Sequence, residues 1–162
     1  MAAGAGAIVG HAIAPGIGGL LLGGLTGYLG RNLFKGNKVA KARVFVSFDF
    51  DNDRALKDFI LGQAKHPDSP FDVSDHSLKE AAPERGWESK ARAAIARSQI
   101  VLVLVGRETY RAHGVLKEVA MARSLGVKIV QIIGYSDRNV TAVPKAGRMY
   151  AWTWDNLKKL LS

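Results

Sequence analysis

The run Gln99-Ile-Val-Leu-Val-Leu-Val105 restricts the fold more than any other stretch of the chain. It lacks the alternation of a strand with one wet face, and it is short and rich in β-branched residues, which argues against a helix. A strand apolar on both faces belongs at the centre of a parallel sheet. Parallel neighbours need crossover connections, usually helices, and the flanking sequence supplies them. Arg43–Asp49 reads as the first strand, Phe71–Ser74 as a short second one and Lys128–Ile133 as the fourth. A helix carrying Leu56, Phe59, Ile60 and Gln63 follows the capping candidates Asp51, Asn52 and Asp53. Asp75 to Trp87 is a polar loop, Glu88–Ser98 a second helix, and Gly114–Leu125 a third, stopped by Gly126. After a loop from Gly134 to Arg148, Met149–Trp152 offers a fifth strand and Trp154–Leu161 a closing amphipathic helix. This alternation predicts an α/β domain over 43–162: a doubly wound, flavodoxin-like parallel sheet of five strands. Right-handed crossovers would gather 47–53, 74–87, 106–117 and 134–137 at the carboxyl ends of the strands.

Residues 1–30 differ in kind. They contain no Lys, Arg, Asp or Glu and hold ten of the 18 glycines. Gly19, Gly23 and Gly27 recur every fourth residue, as do Gly6 and Gly10, a spacing that lets two helices approach closely, above all in lipid. Ala5 to Leu29 is long enough to span a bilayer, with a kink at Pro15–Gly16. Membrane insertion is the expectation, with self-association in solution and a flexible tail as alternatives. A secretory signal peptide is not expected, because no basic region precedes the apolar stretch. A basic linker follows over 31–42, which would hold the folded domain on the cytoplasmic side.

The net charge of +9 is unevenly placed. The first 48 residues have no acid and five bases: Arg31, Lys35, Lys38, Lys41 and Arg43. The remaining 114 carry 18 bases against 14 acids. Nucleic acid is therefore not read as a partner, since the excess follows an apolar run. With no cysteine, disulfides and thiolate metal sites are excluded, and no metal is expected. Gly4–Gly10 has the wrong spacing for a dinucleotide loop and follows no strand. No GxxxxGK[ST] loop, Ser-His-Asp order or HExxH motif is present. Asp49, Asp51 and Asp53 could serve a phospho-receiver, but Val105-Gly106-Arg107 lacks its acceptor Asp.

Four stretches together resemble the TIR-like domains, in particular the bacterial antiphage branch that includes the TIR protein of Thoeris systems: RVFVSFDFDND (43–53), PDSPFDVSDHSLKEA (67–81), IVLVLVGRETYRAHGVLKEVAMARSLG (100–126) and KIVQIIGYSD (128–137). The resemblance implies NAD+ cleavage, with NAD+ as substrate and no further cofactor. It implies that Glu118, on the helix after the third strand, is the catalytic carboxylate. Many catalytic members carry an aromatic residue four positions earlier, where this chain has Gly114. Glu118 is expected in the first turn of its helix, where the macrodipole favours a negative charge. Ser47, Phe48, Asp49, Asp53, Asp75, Tyr110 and His113 are the candidate substrate-binding residues. For each a structural role competes: core packing for Phe48, helix capping for Asp53, a turn for Asp75, a solvated surface for His113. Trp87, Trp152 and Trp154 are read as packing residues.

The expected protein is thus a NAD glycohydrolase or ADP-ribose cyclase of antiphage signalling at the bacterial inner membrane, or a cytoplasmic oligomer. It would be activated by self-association through residues 1–30 and the TIR-like domain, with membrane lipid and an effector sensing an ADP-ribose product as further partners. A non-catalytic adaptor and a membrane-disrupting effector are the alternatives.

Overall fold

A computed structural model describes residues 40–74, 86–136 and 139–162. The chain divides into two units, Met1–Lys38 and Val39–Ser162, and the second is the α/β domain. The readings of residues 1–30 and of Asp75 lie outside the described residues. Among the described residues no helix is long and apolar enough to cross a membrane.

The elements run β1 (Ala42–Phe48), α1 (Arg54–Ala64), β2 (Phe71–Val73), α2 (Trp87–Ala96), β3 (Ile100–Val105), a 3₁₀ turn (Thr109–Arg111), α3 (His113–Ser124), β4 (Lys128–Ile133), β5 (Met149–Ala151) and α4 (Trp154–Leu161). All five strands are parallel in the order β2-β1-β3-β4-β5. Every residue of β3 is buried, as its unbroken apolar run requires of a central strand.

Alternation along the strands splits the core in two. Val44, Val46, Leu102, Leu104 and Ile132 face α1 and α4, meeting Leu56, Ile60, Leu157 and Leu161. Phe45, Val101, Val103 and Val105 face α2 and α3, meeting Ile95, Val115 and Val119. Trp152 and Trp154 pack on the first layer and Trp87 on the second, as expected of packing residues.

Three local readings change. The Thr109–Arg111 stretch is a 3₁₀ turn rather than plain loop, and α3 begins at His113, one residue early. Glu118 is therefore the sixth helical residue, beyond the first turn, where the helix dipole has faded. Asp53 occupies the N-cap position of α1, but its side chain makes no capping bond, because its carboxylate is held elsewhere. Gly126 stops α3 as expected, with φ +67 in the left-handed region that closes a helix without a Cβ penalty.

Candidate active site

The strand order reverses direction between β1 and β3, so the crossovers on either side leave over opposite faces of the sheet. Clefts in doubly wound sheets open at the carboxyl ends of the strands at this reversal. Ser47 ends the buried part of β1, opposite Val103 of β3. Its position in the alternation turns it toward α3, and there its Oγ donates to Glu118 Oε2 at 2.5 Å. The serine is fully buried and the glutamate half-buried. Burial lifts the Glu118 carboxyl from the ordinary 4.5 to about 7, and the Ser47 hydrogen bond, which favours the ionised form, opposes part of that rise. The neighbouring Lys117 is drawn to Glu88 on α2, with its ammonium 5.8 Å above the Trp87 ring. Among the described residues it is Ser47 that holds the Glu118 carboxylate.

A second polar cluster braces the same end of the sheet. Asp53 is 2 % exposed and accepts from Thr109 Oγ1 and from the Tyr135 hydroxyl, each at 2.9 Å. Thr109 Oγ1 in turn accepts from the Gly106 amide at 2.7 Å. Three segments are thereby tied together: the start of α1, the exit of β3 and the exit of β4. Gly106 is required at its place, because a Cβ there would overlap the Asp53 carboxylate.

The remaining sequence-derived candidates are placed as follows. Asp49 turns its carboxylate to its own loop, accepting from the Asp51 amide at 3.1 Å and from Asn52 Nδ2 at 2.8 Å. Phe48 is half-buried against the α1 layer, its ring 6.1 Å from that of Phe50. Tyr110 lies half-buried in the 3₁₀ turn beneath the Arg111 guanidinium, and His113 is exposed at the first position of α3. Of the candidates, then, the structure brings Ser47 and Glu118 into contact. Asp53 is joined instead to Thr109, Tyr135 and Gly106, which sequence reasoning missed. The one available signal was Thr109 at the mouth of the third strand, a hydroxyl able to bond a nearby backbone amide. Among the described residues no group of His, Asp and Glu is arranged to hold a metal ion.

The model of the Thoeris protein ThsB TIR-like domain matches residues 45–139, from within β1 past the end of β4. The chain belongs to this family. No curated protein matches it. Membership suggests a part in antiphage defence signalling. The matched stretch of this TIR-like domain contains Ser47, Asp53, Thr109, Glu118 and Tyr135, so both polar clusters fall within it. β5 and α4 continue the same sheet and core beyond it.

Proposed function

We propose that this Thoeris TIR-like domain cleaves the bond between nicotinamide and ribose in NAD+, with Glu118 as the catalytic carboxylate, in antiphage signalling. The reading rests on one observation: the Ser47-bound Glu118 carboxyl at the β1–β3 reversal of the sheet.

The chemistry asks little of a general acid. The pyridinium ring of NAD+ is already cationic, so the C–N bond breaks with its electron pair on a neutral nicotinamide. Positive charge grows on the ribose, as in other glycosyl transfers. An ionised carboxylate held against the ribose hydroxyls steadies that charge, most effectively in a site with little water. Water, or a nucleophile within the nucleotide, then takes the vacated carbon and releases its proton to solvent. The elevated affinity of Glu118 for its proton suits such a site: the approach of a cationic substrate draws the group toward its ionised form. Ser47 is the positioning residue, fixing one carboxylate oxygen and leaving the other for substrate.

Chromatography of NAD+ incubated with the full chain tests this. Nicotinamide and an ADP-ribose product are expected from the wild type, with Glu118→Gln slower by at least about a hundredfold. Equal turnover by the variant, or none by the wild type, would leave an adaptor or a membrane-disrupting effector as the better reading. Dye release from liposomes separates those two.

A further inference from the structure

We infer that the amino-terminal edge of the sheet, opposite the Glu118 site, is a docking surface for an anionic lipid bilayer. This inference does not depend on the chemistry at Glu118.

The folded domain's surplus of positive charge is small, but the fold segregates it. Strands start and helices end at this edge, and the bases collect there: Lys41 and Arg43 at the start of β1, Lys65 after α1, Arg97 after α2, Lys128 at the start of β4 and Lys159 in the last turn of α4. Lys128 Nζ donates to the Leu160 carbonyl at 2.7 Å and Arg43 Nε to the Arg97 carbonyl at 3.0 Å, so strand starts and helix ends share one surface. Apart from Lys41, these side chains sit on exposed residues. Among the described residues the acids on this side are Asp68 and Asp72, and Asp72 is paired with Lys41 at 3.5 Å. Helix ends contribute about half a negative charge each, too little to cancel the bases. Among the described residues the opposite edge holds Asp49, Asp51, Asp53, Glu88, Glu108 and Glu118, interleaved with Arg54, Arg107 and Arg111, so it carries no surplus of bases. The domain's surplus of positive charge thus lies at its amino-terminal edge.

Lipid is the occupant this edge fits, because of what the chain carries next to it. The described domain begins at Ala40, immediately before β1, on this same edge. The sequence before it brings three further bases, Arg31, Lys35 and Lys38, and before those thirty residues without a charged side chain. Bases next to an apolar stretch are the pattern that an anionic leaflet attracts. Docking by this edge would turn the carboxyl ends of the strands away from the bilayer.

The test uses the full chain with vesicles of phosphatidylcholine alone and with about a third phosphatidylglycerol. Wild type should partition more strongly onto the anionic vesicles, and added salt should erase the difference. Among the described residues, Lys65, Arg97 and Lys159 hold no carbonyl or carboxylate by their side chains. Changing them together (Lys65→Gln, Arg97→Gln, Lys159→Gln) should weaken anionic partitioning roughly a hundredfold, at about fivefold per base, and leave neutral vesicles unaffected. Because the chain has no cysteine, Lys65→Cys and Asp51→Cys can each carry one fluorophore. A headgroup quencher should dim the Lys65→Cys label and spare the Asp51→Cys label. Equal binding to both vesicles, no loss in the triple variant or equal quenching of both labels would overturn the proposal. So would a triple variant that loses duplex DNA but keeps anionic vesicles, which would make the edge a nucleic-acid surface.

Discussion

A carboxylic acid that keeps its proton to about pH 7 in the folded chain but loses it near 4.5 when unfolded ties stability to pH. Between those values the folded state binds more protons, so the stability tied to Glu118 is whole below 4.5 and drains away as pH rises toward 7. Glu118→Gln removes that cost. It should stabilise the domain at pH 8 by up to about 3 kcal/mol, and by almost nothing at pH 4, in paired urea titrations. The residue that would make the site work is thus one the fold would be more stable without. Asp53 has the opposite character. Replacing it with Ala takes one acceptor from the Tyr135 hydroxyl and deprives Thr109 Oγ1 of the carboxylate it donates to, at a cost of about 1–3 kcal/mol. Gly106→Ala should cost a similar amount, because the new methyl group displaces the same carboxylate. Thermal unfolding of the two single variants and the double should show strong non-additivity, since both act on one network.

At the scale of elements, the strands were legible because burial on two faces leaves a continuous apolar run, and β3 and β4 are that signal almost without interruption. Helix limits were less legible, since Ala112 and His113 carry no capping side chain and the start of α3 is set by the preceding 3₁₀ turn. The connection after β4 reads as featureless polar sequence, yet one buried residue orders its far end. Gln131 accepts from the Val143 amide at 2.8 Å and donates to the carbonyls of Val143 at 3.3 Å and Gly147 at 2.6 Å. Gln131→Leu keeps a comparable volume and breaks all three bonds. Exchange of the Val143 amide should then accelerate by at least about tenfold, with β1 and β3 unchanged. The site itself was half legible. The family resemblance singled out Glu118, and Ser47 was a candidate at the same end of the sheet, but the bond that joins them spans 71 residues. Contacts of that separation follow from strand order, which local pattern does not encode. Asp53 looked like a cap for the same reason: Thr109 and Tyr135 reach it only once β3 and β4 are in place.

At the scale of the whole molecule, a sheet whose surplus of bases lies at one edge, in a chain that also carries a glycine-rich apolar segment, suits chemistry that depends on assembly. Bringing copies together raises their effective concentration without any change in the site. Nicotinamide release per chain should therefore rise with protein concentration and with loading onto anionic vesicles, whereas a self-sufficient monomer would give a constant value. Cleavage driven by the ionised, Ser47-bound carboxyl of Glu118 leaves its mark on the pH profile of nicotinamide release. Activity should climb with pH through a midpoint set by Glu118, near 7 in the free enzyme. In Ser47→Ala that midpoint should move upward, because the bond that favours the ionised form is gone. A wild-type profile flat across this range, or a Ser47→Ala midpoint that stays in place or falls, would contradict the account.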